Sequence, residues 1–220
     1  PEKKEFHAWF DSGVVKIVTC APEVEGGLEF VKEAVARNVR ISIGHSQAKY
    51  EQVITAADHG ATQATHIFNG MPGYHHREPG TVGGVLDDQR IKAQVICDGV
   101  HLHPATVRLV YKVKTTSGII LITDSVRGAG LPDGDYENKG QKFSVRDGVA
   151  RTPEGGLSGS TLTLDQALRN FIKFTRCTLE DALTLVTLNP AREMNILDHK
   201  GKIAAGYDAD IVLLNESLNV

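Results

Sequence analysis

Three observations predict an α/β fold on a parallel sheet. Short apolar runs alternate with stretches whose apolar residues recur at helical spacing over roughly the first 125 residues. The runs are nearly continuous in apolar character, as expected of strands covered on both faces. Each of the last four runs is followed at once by a turn carrying a His or an Asp.

Residues 16–20 form the first predicted strand. Gly26 and Gly27 mark the turn after it, and Leu28, Val31 and Val35 lie on one face of a helix. Residues 39–43 are the second strand, ending in Gly44-His45-Ser46. Ser46 has the side chain of an N-cap, and Tyr50, Val53, Ile54 and Ala57 form the stripe of the helix it would open, with Gly60 to stop it. Residues 61–65 are the third strand, followed by His66, Asn69 and a Gly- and Pro-rich loop over 70–80. Residues 93–97 are the fourth, ending in Asp98-Gly99-Val100-His101. Pro104, suited to a first helical position, then opens a helix with Val107, Val110 and Tyr111 on its face. Residues 118–122 are the fifth, ending in Thr123-Asp124-Ser125.

The character then changes. Residues 142–151 alternate about Asp147-Gly148, a hairpin signal. Leu164, Ala167, Leu168, Phe171 and Ile172 mark a helix. Thr178 to Asp181 starts another in the manner of a capping box, and Asn189-Pro190 is expected to break it. Residues 210–214 read as a last strand, expected to join the hairpin in a small β appendage. The domain reading is βα units over 1–130, the hairpin and closing helices over 131–200, and a returning strand over 201–220.

A net charge of −3, from 24 Lys and Arg against 27 Asp and Glu, gives no electrostatic basis for binding nucleic acid or an anionic membrane. With 41% apolar and 23% charged residues the chain is not of the disordered class. Three cysteines, Cys20, Cys97 and Cys177, are too few for a disulfide framework and point to a reducing compartment. The longest apolar stretch, near 118–122, falls far short of the ~20 residues of a membrane helix, and no secretory leader is visible. A soluble, cytoplasmic protein is expected. Because the sequence opens on Pro1, its natural start is expected upstream.

His45, His66, His101 and Asp124 occupy equivalent places, each after the C-terminal end of a different predicted strand. That edge is where parallel α/β folds gather ligands and catalytic groups. Their separations match one or two βα units, so they should converge on one rim. His45 and His66, on adjacent units, suit two imidazoles on one metal ion. A catalytic zinc or iron site takes about three protein ligands and a water, whose pKa it lowers to about 7. Asp124 is placed to take a proton from that water and return it to a leaving group, and His101 to donate to a developing oxyanion. Any one of the four alone reads as a turn or cap residue; their recurrence carries the functional reading. Cys20 and Cys97 read as buried strand residues. In the 68–80 loop, Asn69, Gly70 and Arg77 can offer backbone N–H groups and a guanidinium fork to an anion such as phosphate. No Walker or G-x-G-x-x-G pattern is present, so a nucleotide is not implied. Leu157-Ser158-Gly159-Ser160 could hold a polar ligand or only cap the next helix.

Taken together, Gly44-His45-Ser46, Thr65-His66 through Asn69, His75-His76-Arg77-Glu78-Pro79-Gly80, Asp98 through His101, Thr123-Asp124 and Leu157 through Thr161 resemble the N-acetylglucosamine-6-phosphate deacetylases of the amidohydrolase superfamily. The tail from Gly201 to Leu214 is similar to that superfamily's returning C-terminal strand. The resemblance implies an incomplete TIM-like (β/α)8 barrel, with strands four to eight over 1–130, and a small β-sandwich appendage near the C-terminus. It implies metal-dependent hydrolysis of the acetamide of N-acetylglucosamine 6-phosphate, in amino-sugar catabolism. The implied protein is a homodimer that takes a small phosphorylated amino sugar and neither nucleic acid nor membrane.

By the same resemblance His45 and His66 are ligands of a divalent metal, zinc or iron, and Asp124 is the catalytic acid/base. Asn69, Gly70, Arg77, His101, Leu157, Ser158 and Gly159 are substrate contacts, with Arg77 at the phosphate and reaching across a dimer interface. A third metal ligand, a Glu in a His-Leu-Glu-Gly-Pro stretch, is expected upstream of Pro1, since neither Glu2 nor Glu23 matches it; the join at Lys4-Glu5 is also short relative to the family. With two ligands, this chain alone is expected to hold metal weakly or not at all and to be inactive. Two alternatives stay open: another metal-dependent amidohydrolase with a different substrate, and a non-catalytic phosphosugar-binding module.

Overall fold

The apolar runs pair side by side in chain order. β1 (Ile17–Cys20), β2 (Arg40–Ile43), β3 (Ala61–Ala64), β4 (Lys92–Ile96) and β5 (Ile119–Ile122) make one parallel sheet in that sequence. The structure is a computed structural model that describes residues 3–220. Parallel neighbours need a crossover, normally a helix, and α2 (Gly27–Ala36), α3 (Tyr50–Asp58), α4 (Gly80–Asp87) and α5 (Pro104–Lys114) supply the four.

Two helices were not expected. α1 (Lys3–Asp11) precedes the sheet and packs Phe6 and Phe10 against Phe30 of α2. α4 lacks a readable stripe because Gly80, Gly83 and Gly84 replace side chains. It lies so close to α3 that a Cβ on Gly84 would sit 2.7 Å from Val53.

Strand register sorts the side chains onto two faces. Ile41, Ile43, Ala64, Ala93, Val95, Ile119 and Leu121 are buried on one, beneath the helices. Each large aliphatic side chain there contributes about 1.5–3 kcal/mol by leaving water. The other face departs from the doubly apolar sheet expected. Thr19, Ser42, Gln63 and Gln94 project from it and bond across strands. The Thr65 hydroxyl lies 2.9 Å from that of Thr19 and 2.6 Å from that of Ser42, and Gln94 Nε2 donates to Gln63 Oε1 at 2.9 Å.

After β5, β6 (Gly134–Asn138), β7 (Gln141–Arg146) and β8 (Val149–Arg151) form a separate antiparallel sheet. It turns at Asp147-Gly148 as predicted and has a small core of Phe143, Val145 and Ala150. α6 (Leu164–Thr175), α7 (Leu179–Val186) and α8 (Leu188–Glu193) follow. Thr178 caps α7 by accepting from the Asp181 N–H at 3.1 Å, as its sequence suggested.

Two expectations fail and one holds only in part, each for an identifiable reason. Ser46 caps no helix: α3 starts at Tyr50, and the Ser46 hydroxyl instead donates to Glu23 at 2.7 Å. The helix that starts after Thr178 does end just before Asn189-Pro190, at Val186, but the pair does not stop helical structure: it lies in the first turn of α8, where a missing N–H costs nothing. Asn189 is buried there, donating to the carbonyls of Thr116 and Ile119, both at 2.7 Å, and so ties α8 to the start of β5. Residues 210–214 form no strand, and with Ile211, Val212 and Leu213 exposed they do not join the hairpin. A strand needs a partner, and none of the described strands pairs with this segment, so neither the small β-sandwich appendage nor a returning strand over 201–220 is present among the described residues. No helix among the described residues is long and apolar enough to cross a membrane. Cys20, Cys97 and Cys177 are free, and burial pushes the thiols of Cys20 and Cys97 up to about 12.

Lys114 ends α5 and is among the largest fully buried side chains of the described residues. Its Nζ donates to the carbonyls of Val85 at 2.8 Å and Asp88 at 2.7 Å, closing the C-terminal end of α4. Burial, helped by the Lys92 charge and opposed by Asp88 and Asp87, pulls its pKa from an ordinary 10.5 to about 8. Between those values the unfolded chain binds more protons than the folded one, so this group makes stability rise with pH. We expect the urea midpoint of the wild type to climb relative to that of Lys114→Met between about pH 8 and pH 10.5. A pH-independent difference between the two would refute the assignment.

Candidate active site

Parallel strands paired in chain order bring all their C-terminal ends to one edge. His45 and His66 stand just past β2 and β3, Asp124 just past β5, and His101 further along the turn after β4. Three of these four turns are sharp. His45, His66 and Asp124 have φ of 49°, 32° and 50°, in the left-handed region that costs a side-chain-bearing residue about 1–3 kcal/mol. That strain recurs at equivalent strand ends.

The two imidazoles meet. His45 Nε2 lies 3.0 Å from His66 Nε2, with the rings edge to face at 84°. His66 is buried and His45 exposed, so the pair is open on one side. The fit is tight around it. A Cβ on Gly44 would lie 2.6 Å from Thr19 and 2.8 Å from Thr65, and one on Gly70 would lie 2.9 Å from His45 Nδ1. Glu23 accepts from the Gln47 N–H and the Ser46 hydroxyl, holding the chain just after His45. Asn69 turns back on the same segment, its amide donating to the carbonyls of His66 and Ile67 at 3.2 and 3.3 Å.

Two facing nitrogens at 3.0 Å can share one hydrogen or serve as ligands on one ion, since metal–imidazole bonds run about 2.0–2.1 Å. His66 Nδ1 is buried without a partner, so the protein itself does not fix which ring nitrogen is protonated. The donor set therefore fits a metal, but as part of a site. Among the described residues no group of three or more His, Cys, Asp or Glu gathers to hold one.

Asp124 is exposed at the far end of the same edge. The segment 157–162 runs alongside it. The Ser160 N–H donates to the Asp124 carbonyl at 2.8 Å, the Ser160 hydroxyl donates to the Thr123 carbonyl, and the Ser125 hydroxyl donates to the Leu162 carbonyl at 2.6 Å. Gly159 is so close that a Cβ there would lie 2.7 Å from the Asp124 carbonyl oxygen and 3.7 Å from Oδ2. Two motifs separated in sequence are thus one place in space. Leu157 and Ser158 sit further off, against the hairpin, where the Ser158 N–H donates to the Ala150 carbonyl.

His101 and Gly159 line a common cleft of ≈ 460 Å³, together with Asp98, Gln166 and Asn170. Asp98 was not singled out from the sequence as a functional residue, yet its carboxylate holds His101 Nδ1 at 2.6 Å. Arg77 is not brought to the histidine pair. It is exposed, and its guanidinium stays within its own loop, 2.8 Å from His76 Nε2.

The profile of the amidohydrolase family matches residues 4–220. The chain belongs to the amidohydrolase family. This amidohydrolase is 44% identical over 204 residues to an N-acetylglucosamine-6-phosphate deacetylase of Lysinibacillus sphaericus, covering 93% of this chain and 52% of the relative. It is 41% identical over 206 residues to an N-acetylgalactosamine-6-phosphate deacetylase of Escherichia coli O157:H7, covering 94% and 54%. Among solved structures, the N-acetylglucosamine-6-phosphate deacetylase of Thermotoga maritima matches with a TM-score of 0.92 at 40% identity, over 100% of this chain and 59% of that one. A mutant of the Mycobacterium smegmatis deacetylase, in complex with N-acetyl-D-glucosamine-6-phosphate, matches with a TM-score of 0.93 at 35% identity, over 99% and 58%. The chain spans about half the length of the curated relatives it matches.

Proposed function

We propose that the protein carrying this amidohydrolase chain hydrolyses the acetamide of N-acetylglucosamine 6-phosphate to glucosamine 6-phosphate and acetate. The observation that carries this reading is the convergence of His45 and His66 Nε2 to 3.0 Å on the strand edge that also bears Asp124. Similarity to named deacetylases over more than nine-tenths of the chain supports it. His45 and His66 would hold a divalent ion, zinc or iron, together with a Glu from outside this chain. Such an ion lowers the pKa of a bound water to about 7 and polarises a carbonyl. Asp124 takes the proton released as water adds to the acetamide carbon, then delivers it to the sugar nitrogen as the C–N bond breaks. His101 faces the amide oxygen. Asn69 and Gly70, beside the histidines, and Leu157, Ser158 and Gly159, beside Asp124, bind the sugar. Arg77 takes the phosphate, from a loop exposed enough to serve a neighbouring copy in a homodimer. We read the five-strand sheet as consecutive strands of a TIM-like barrel, and the three free cysteines as those of a cytoplasmic protein.

The test is acetate release by the natural full-length polypeptide. We expect turnover of N-acetylglucosamine 6-phosphate, and a KM raised by about 10–100-fold in Arg77→Ala with kcat little changed, the loss of one charged hydrogen-bonding fork. An unchanged KM would point to an amidohydrolase with an unphosphorylated substrate. The relative named for N-acetylgalactosamine 6-phosphate favours a second reading, the epimer at C4. The ratio of kcat/KM for the two sugars decides between them.

A further inference from the structure

Asp98 spends its whole carboxylate on one short turn. Oδ1 accepts the N–H groups of Val100 and His101, both at 2.8 Å, and Oδ2 lies 2.6 Å from His101 Nδ1. Both side chains are sheltered, His101 at 5% and Asp98 at 14% exposure. Burial alone would raise the Asp98 pKa, but the hydrogen bonds from His101 and the two backbone groups outweigh it and hold the carboxyl below its usual range. An ionised carboxylate only accepts, so Nδ1 of His101 carries the hydrogen and Nε2 is the nitrogen left for the cleft shared with Gly159.

The turn is also braced from behind. Gly99 has φ +80°, with the Phe174 ring 3.3 Å from where a Cβ would be. Asn170 donates to the Cys97 carbonyl at 2.8 Å, and Gln166 donates to Asn170 at 2.7 Å. The carboxylate therefore has a fixed base from which to aim the ring.

We propose that Asp98 is a positioning residue for His101, keeping a hydrogen on Nδ1 and fixing the ring direction so that Nε2, when it carries a hydrogen of its own, donates to the amide oxygen of the substrate. The identity of that substrate rests on the deacetylase reading; the Asp98–His101 arrangement does not. When the ring carries a second proton at Nε2, the form that donates to a developing oxyanion, Asp98 is its counter-charge.

A double-mutant cycle on the natural full-length polypeptide with its metal tests this. Asp98→Asn preserves size and an acceptor for the backbone N–H groups but supplies no carboxylate oxygen for Nδ1–H. We expect kcat on N-acetylglucosamine 6-phosphate to fall by about 10–100-fold, with KM within about threefold. In a His101→Ala background the same change should cost less than about twofold, because its effect runs through the ring. A full second loss there would mean a merely structural role and would overturn the proposal. Nitrogen-15 spectra of labelled histidine give an independent reading. They should show a hydrogen on Nδ1 of His101 in the wild type, and a hydrogen on Nε2 with none on Nδ1 would overturn the proposal whatever the kinetics. If the wild type releases no acetate, the deacetylase reading fails, while the spectra still decide the role of Asp98.

Discussion

Asp124→Asn is expected to lower kcat by about 10²–10⁴-fold while substrate and metal still bind. Asn matches Asp in size and cannot take a proton from the attacking water or return it to the departing nitrogen. The backbone should tolerate the exchange. Asp124 sits at φ 50°, a region that Asn enters more readily than most residues, and it is exposed, so stability should stay within about 0.5 kcal/mol. Acetate release measures the rate, and calorimetric titration with N-acetylglucosamine 6-phosphate measures binding. A variant retaining more than about a tenth of wild-type kcat would remove Asp124 from the chemistry. A wild type that binds the sugar without any turnover would instead favour a phosphosugar-binding module.

His66→Ala is expected to strip the metal. The two imidazoles face each other at 3.0 Å, and a site built from about three protein ligands loses most of its affinity when one is removed. Metal content after identical dialysis should fall well below that of the wild type, and activity should drop by at least about 10²-fold. His45→Ala should give the same metal loss with little effect on folding, because that ring is exposed whereas His66 is buried. The two losses should not add, since the residues act as one unit. Full metal occupancy in either variant would separate the pair from any ion.

The sequence was most readable where short apolar-rich runs alternated regularly with stretches of helical spacing. The strands ending at Cys20, Ile43, Ala64, Ile96 and Ile122 announced themselves through apolar runs, and their polar successors His45, His66, His101 and Asp124 came with them. α4 was hidden because Gly80, Gly83 and Gly84 interrupt its apolar pattern, leaving too little hydrophobic signal although Gly84 lets α3 and α4 approach. The tail at 210–214 has strand composition, but pairing depends on an edge that local sequence does not describe. Ser46 looked like a cap because its side chain suits one; a distant carboxylate, Glu23, claimed it. Asp98 went unnoticed as a site residue because its role is a contact three residues away across a turn, and the left-handed backbone at His45, His66 and Asp124 leaves no mark in residue type.

The hydroxyls of Thr19, Ser42 and Thr65 act as a crossbeam one residue back from the paired rings, because Thr65 precedes His66 and rests on Gly44, which precedes His45. The gap between the imidazoles is thus set from behind, by a joint with no spare room. Any side chain at position 44 would be a wedge driven into that joint, prying apart two nitrogens that it never touches.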